Sequence, residues 1–156
     1  MLDIVLFEPE IPANTGNIIR LCANTGAQLH LIQPLGFELD DKRLRRAGLD
    51  YHEWVSVKQY ASLNDYIEHS KPKRVLALTT KGTQSYGKIR FQTGDAMLFG
   101  PESRGLPADF LAQHPDALKV YLPMRQESRS LNLSNTVSIV LYEAWKQLGF
   151  PGAHSR

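Results

Sequence analysis

The sequence of 156 residues has a single cysteine and no long apolar run, and both shortages exclude whole classes of protein. With Cys22 alone, the chain can form neither an intrachain disulfide nor a zinc site built from cysteines. No stretch approaches the ~18 consecutive apolar residues of a membrane-spanning helix, and no secretory signal peptide is recognisable at the start. These absences predict a soluble protein of the reducing cytoplasm, without a membrane partner.

Common catalytic and nucleotide-binding motifs are missing as well. The chain contains no G-x-G-x-x-G, no G-x-x-x-x-G-K-[ST], no G-x-S-x-G and no H-E-x-x-H. The simplest dinucleotide-binding, P-loop, hydrolase and zinc-protease interpretations are therefore excluded. The 5 histidines show no spacing typical of metal ligands, and we predict no metal site.

The charge is nearly balanced, with 18 Lys and Arg against 16 Asp and Glu and a formal net charge of +2. Such a total neither requires nor excludes a nucleic-acid partner, so the distribution of charge must decide. The length and the 42% share of hydrophobic residues predict one domain over residues 1–156, with a loose tail from about Gly152.

Short apolar runs alternate with amphipathic stretches, which predicts an α/β fold around a parallel sheet. Most of the runs are continuous, as expected when helices cover both faces of the sheet. Strands are predicted at 2–7, 28–32, 74–79, 96–99 and 118–122, with a weaker one at 54–57. Helices are predicted from an N-cap at Asn14 to a stop at Gly26, and at 42–47, 61–69, 107–113 and 133–148.

Three loops that follow late predicted strands are rich in Gly, Pro and hydroxyl residues: 79–83, 100–107 and 123–135. Ligands of open α/β sheets bind outside the carboxyl ends of the strands. Ordinary turn chemistry explains any one of these loops equally well. All three together favour one shared pocket built largely from backbone groups.

Three segments together resemble the motifs of the SpoU/TrmH branch of the SPOUT RNA methyltransferases. They are NTGNIIR at 14–20, LFGPESRGLP at 98–107, and LPM at 122–124 followed by SRSLNLSN at 128–135. The resemblance runs from Leu2 to about Gly152, and the block DDKRLRRAGLDYH at 40–52 strengthens it. It implies a SPOUT α/β fold whose C-terminal part forms a deep trefoil knot, which topology rules alone argue against. It also implies a homodimer that pairs through its terminal helix region.

The resemblance implies an enzyme that transfers a methyl group from S-adenosylmethionine to a ribose 2′-OH of tRNA. The smallest members of the branch act on the wobble nucleotide, C or U at position 34 of the anticodon loop. The three loops would hold S-adenosylmethionine through main-chain groups. The expected contacts are Leu78, Gly100, Leu122 and Ser130, with Thr79, Glu102, Met124 and Leu131 close by.

Arg20 is the expected catalytic residue, because the resemblance places this arginine at the reacting ribose. It shares a polar helix face with Asn14, Asn17 and Asn24. Since a guanidinium keeps its proton in proteins, we expect Arg20 to hold a phosphate and polarise the 2′-hydroxyl rather than act as a base. From the residues alone, a surface or dimer salt bridge is the simpler interpretation.

A basic run is the expected RNA contact: Lys42, Arg43, Arg45 and Arg46, next to Asp40 and Asp41. Such a run is usually a solvated helix face, but a small enzyme without an extra RNA-binding domain must bind RNA with its own surface. Asn14, Asn135 and Tyr142 are further RNA-binding candidates, and the dimer interface is the alternative for Tyr142.

Three other interpretations remain open. The same reaction could act on another tRNA position or on ribosomal RNA, since motifs for methyl transfer do not encode the target nucleotide. A non-catalytic RNA-binding factor could use the same fold. A flavodoxin-like regulator would fit the α/β rhythm but explains none of the three loops. No interpretation involves DNA.

Overall fold

Seven parallel strands form one sheet in the computed structural model, which describes residues 1–156. The strands are β1 (Asp3–Phe7), β2 (Gln28–Ile32), β3 (Lys58–Tyr60), β4 (Arg74–Leu78), β5 (Gln84–Ser85), β6 (Asp95–Phe99) and β7 (Leu118–Tyr121). The helices are α1 (Pro12–Thr25), α2 (Asp41–Arg46), α3 (Tyr51–Trp54), α4 (Leu63–Ser70), α5 (Ala108–Gln113) and α6 (Leu133–Gln147), with a 3₁₀ turn at Tyr86–Lys88. The strand order is β3-β2-β1-β6-β4-β7-β5. None of the helices is both long enough and apolar enough to cross a membrane.

Helices cover both faces of the sheet, which explains why its strands read as continuous apolar runs. On β1, Ile4 and Leu6 face one core, which includes residues of α1, α3 and α6. Val5 faces the other core, which includes residues of α4 and α5. The predicted α/β fold with a parallel sheet flanked by helices is confirmed.

Two predictions about individual elements are wrong: the start of the first helix and the position of the third strand. Helix α1 has its N-cap at Ile11, three residues before the predicted N-cap Asn14, and begins at Pro12, because proline is well suited to the first helical position. Asn14 therefore lies inside the first turn and is not the N-cap. The predicted strand at 54–57 is also wrong: Trp54 ends the short helix α3, and the strand follows at Lys58.

The connection from β4 to β5 crosses over β7. Leu78 at the end of β4 and Gln84 at the start of β5 are both register partners of Val120 in β7. Within the crossing, the Thr79 N–H donates to the Val120 carbonyl at 2.9 Å and the Thr83 N–H donates to the Lys119 carbonyl at 3.0 Å. Residues 79–83 thus lie directly on the backbone of β7.

Strand β5 was not predicted at all. Its two residues are polar or small and carry no hydrophobic pattern, and it pairs only with β7. Its position follows from the crossing over β7, which local sequence does not encode.

Candidate active site

A cavity of about 960 Å³ lies at the carboxyl ends of β4, β6 and β7. The three loops that the sequence singled out form its walls, because parallel strands bring the loops after them to one edge of the sheet. All eight residues expected at a methyl donor line this cavity: Leu78, Thr79, Gly100, Glu102, Leu122, Met124, Ser130 and Leu131. Asn14 of α1 lines it as well.

Glu102 binds the N-terminus of α1 with its carboxylate. Oε1 accepts the backbone N–H of Glu10 and Oε2 that of Ile11, each at 2.8 Å, and the Asn14 side chain donates to Oε2 at 3.2 Å. The N-cap residue Ile11 has no side-chain acceptor for the open amides of the helix. Glu102 instead binds the amides of the two residues immediately before Pro12 and so fixes the entry to α1 from a different loop, a role that the sequence did not predict.

Asn14 and Asn132 extend this contact to the third loop. The Asn132 amide donates to Asn14 Oδ1 at 3.0 Å. Asn132 Oδ1 accepts the backbone N–H groups of Ser134 at 2.9 Å and Asn135 at 3.3 Å, so it caps α6. A chain of hydrogen bonds from Glu102 through Asn14 to Asn132 thus joins the three motif segments at the cavity.

A second contact joins the loop after β1 to the loop after β6. The Glu10 carboxylate accepts the Ser103 N–H at 2.7 Å and the Ser103 hydroxyl at 2.9 Å. These bonds hold the pKa of Glu10 below its ordinary value. Arg104 donates to Glu8 at 3.0 Å. The only sequence signal for this contact is the pair of glutamates shortly after the first strand.

The third loop offers apolar surface and free amides to the cavity. Met124 and Leu131 are each 43% exposed although both are large and apolar. The backbone N–H groups of Ser130 and Leu131, which both line the cavity, donate to no protein acceptor. A ligand that carries both apolar surface and hydrogen-bond acceptors would complement this wall.

Arg20 lies outside the lining of the cavity and binds Glu53 of α3. Its Nε donates to Glu53 Oε2 at 3.0 Å, and its Nη2 donates to the Gly48 carbonyl. The bond to Glu53 raises the pKa of Arg20, so the guanidinium remains charged. A salt bridge of Arg20 was one of the expectations from the sequence, but its partner Glu53 was not among the predicted residues.

The expected RNA contacts lie on the surface away from the cavity lining, with the exception of Asn14. Lys42, Arg43, Arg45 and Arg46 are all exposed on α2. Arg43 pairs with Glu38 at 2.8 Å and with Asp40, whereas the other three cations have no carboxylate partner.

The two remaining candidates are exposed on α6, where Asn135 is near the start and Tyr142 is 45% exposed. The Tyr142 ring meets Trp145 edge to face, with 5.5 Å between centroids. No group of three or more His, Cys, Asp or Glu side chains is placed to hold a metal ion.

Known proteins match this chain over nearly its whole length. It is 60% identical to a tRNA (cytidine(34)-2'-O)-methyltransferase of Escherichia coli K12 over 153 residues, which cover 98% of each chain. A solved structure that gives insights into 2-OH methylation of C/U34 on tRNA is 44% identical, with a TM-score of 0.85 over 96% of this chain and 97% of that one. An AdoMet-bound rRNA methyltransferase from Sinorhizobium meliloti shares the fold at 24% identity, with a TM-score of 0.80 over 94% of this chain and 56% of that one. The model of the SpoU rRNA Methylase family matches residues 1–142, and the chain belongs to this family.

Proposed function

We propose that this chain transfers the methyl group of S-adenosylmethionine to the ribose 2′-oxygen of the wobble nucleotide, C or U at position 34, in the anticodon loop of tRNA. The observation that carries the proposal is the cavity in which all three motif segments meet. The Escherichia coli relative supports this target nucleotide, because it is named a tRNA (cytidine(34)-2'-O)-methyltransferase and is 60% identical over nearly the full chain. An anticodon loop suits a protein of this size, because its ribose is reachable without melting a duplex. With such a substrate, the chain would act in the cytoplasm.

The cavity fits S-adenosylmethionine on chemical grounds. Leu78, Leu122 and Leu131 offer apolar walls. The free backbone amides of residues 130 and 131 would offer donors to polar groups of a ligand. When bound, S-adenosylmethionine supplies a methyl group on a positively charged sulfur. The hydrogen bonds of Glu102 and Asn132 hold the loops in place without help from the ligand, so the walls are preorganised.

Arg20 would bind the RNA phosphate beside the target and polarise the 2′-hydroxyl. The hydrogen bond to Glu53 raises the pKa of the Arg20 guanidinium, which therefore stays protonated. A protonated guanidinium cannot accept a proton, so a role as general base is disfavoured. A planar fork of N–H donors suits a phosphate and a neighbouring hydroxyl together. A water molecule or the phosphate would then accept the proton of the 2′-hydroxyl.

RNA binding would use the exposed cations of α2 together with Asn135 and Tyr142. Asn14 is only 5% exposed and is bonded to Glu102 and Asn132, so it would support RNA binding by holding the loops of the cavity together. The three cations without carboxylate partners, Lys42, Arg45 and Arg46, are the strongest candidates, because phosphate binding depends on charge that is not already neutralised.

The enzyme would act as a homodimer of single-domain chains. On α6 and just after it, the apolar residues Ile139, Tyr142 and Phe150 are exposed at 39%, 45% and 41%, which suits an interface. Arg20 does not line the cavity of its own chain, as expected if the ribose is held between two copies. The loose tail after Gly152 would take no part.

A deep trefoil knot in the C-terminal part completes the proposal. Strand β7 lies between β4 and β5, and the five residues 79–83 cross over it. Strand β7 passes under the crossing 79–83, and the chain then continues into α6. A knot arises when a chain is threaded in this way under an earlier segment of itself.

Transfer of a labelled methyl group to unmodified tRNA tests the proposal, with alkaline hydrolysis of the product. A 2′-O-methyl group blocks cleavage at its own phosphodiester, so label in a dinucleotide from position 34 is the expected result. Label at another position or in ribosomal RNA would favour a different target, and label in mononucleotides would indicate base methylation. If tRNA isolated from cells that lack this protein receives no label, the result would favour a non-catalytic RNA-binding factor.

A further inference from the structure

The guanidinium of Arg20 is held along one edge by a single carboxylate. Nε donates to Glu53 Oε2 at 3.0 Å, and Nη2 lies 3.4 Å from Oε1 while it also donates to the Gly48 carbonyl. The N–H groups of Nη1 have no protein acceptor. The contact therefore sets the plane of the guanidinium and leaves one end of it free for a substrate.

Glu53 is the rigid partner of this pair. Its side chain is 8% exposed, against 51% for the side chain of Arg20. Oε1 also accepts the backbone N–H of Asp50 at 2.7 Å, which ties the carboxylate to the start of α3. Helix α3 in turn packs against α1, which carries Arg20. A buried and doubly bound carboxylate thus fixes the direction of a half-exposed, flexible side chain.

We propose that Glu53 positions Arg20 for methyl transfer, an inference that rests on the proposed function. Glu53 orients the planar fork before RNA arrives, so that less side-chain freedom is lost when the free Nη1 end meets the ribose and its phosphate. Because Glu53 offsets part of the charge of Arg20, it contributes to turnover and not to attraction of RNA.

Four proteins test the proposal: the full chain, Glu53→Gln, Arg20→Ala and the double variant. Glu68→Gln is the matched control, because it removes the same charge from an exposed position on α4, across the sheet from α1 and α3. Methyl transfer to unmodified tRNA is measured under single-turnover and steady-state conditions. Affinity for tRNA and S-adenosylmethionine and the melting temperature are measured alongside.

We expect Glu53→Gln to lower kcat by about 10- to 100-fold, the range expected when a reacting group is misplaced. KM for tRNA should stay within about twofold or fall, because a cation is released from its partner. In the Arg20→Ala background, Glu53→Gln should cause no further loss, since a residue that acts through Arg20 has nothing left to position. Glu68→Gln should behave as the unchanged chain.

A kcat within about twofold of the unchanged chain would overturn the proposal. An equal loss in both backgrounds, or a rise in KM with kcat preserved, would also overturn it, since either indicates a role in stability or RNA binding. Should Glu53→Gln fail to fold, Glu53→Asp keeps the charge but withdraws the carboxylate, and the same fall in kcat is expected. Absence of transfer by the unchanged chain would instead overturn the proposed function, and this inference with it.

Discussion

Replacement of Gly82 by alanine should separate the crossing segment 79–83 from β7. The φ angle of Gly82 is not in the left-handed region, so available space decides whether alanine is tolerated. A Cβ at this position would lie 2.5 Å from the Val120 carbonyl carbon and 2.7 Å from the Tyr121 nitrogen. Both are backbone atoms, which cannot rotate away as a side chain could.

The size of the effect follows from these distances. Nonbonded carbon atoms settle about 3.5–4.0 Å apart, so the crossing must retreat by roughly 1 Å. The hydrogen bonds that Thr79 and Thr83 donate to β7, at 2.9 and 3.0 Å, lie on either side of Gly82 and would lengthen. Overpacking of this kind costs about 1–3 kcal/mol. For a domain of this size, that corresponds to a fall in Tm of about 2–12 °C.

Thermal unfolding at fixed protein concentration and scan rate measures this effect, and titration calorimetry measures affinity for S-adenosylmethionine. We expect affinity to fall as well, because Thr79 and Lys81 line the cavity and move with the crossing. Gly87→Ala is the matched control, since its Cβ would meet only the Ser85 side chain at 3.8 Å. It should be neutral or raise stability by about 0.4–1 kcal/mol.

A Tm for Gly82→Ala equal to or above that of the unchanged chain, with unaltered affinity, would refute the reasoning. It would mean that the crossing does not lie on the backbone of β7. Gly87 lies outside the crossing, so a similar loss in Gly87→Ala would indicate a general cost of replacing glycine by alanine and would refute the steric argument equally.

Three further predictions concern the cavity, the basic helix and the reacting arginine. Glu102→Ala should lower the free energy of unfolding by about 1.5–3 kcal/mol, because it leaves the amides of Glu10 and Ile11 before α1 without a charged acceptor. An unchanged Tm in thermal melting would contradict this prediction. Arg46→Ala should weaken tRNA binding and reduce its salt slope more than Arg43→Ala, since Arg43 is already paired with two carboxylates; equal effects in filter binding would argue against the assignment. Arg20→Lys should lower kcat by about 10²-fold, and near-normal turnover would exclude the need for a planar donor.

The local features of the fold were predictable from the sequence. The continuous apolar runs predicted a parallel sheet covered on both faces, and five of the seven strands lie where those runs are. The loops after β4, β6 and β7 carried the signal for a shared pocket, because parallel strands end at one edge of the sheet. Both inferences depend only on residues that are neighbours in the chain.

Tertiary structure alone decided how the site is held together. Glu102 and the α1 N-terminus are joined by hydrogen bonds across 91 and 92 residues, and Arg20 reaches Glu53 across 33. Strand β5 exists because its chain segment crosses β7, not because its own residues favour a strand. Such contacts leave no periodic pattern, since each partner satisfies its hydrogen bonds with a residue that only the fold brings near. The residues of the cavity could therefore be named from the sequence, but not the bonds that preorganise it.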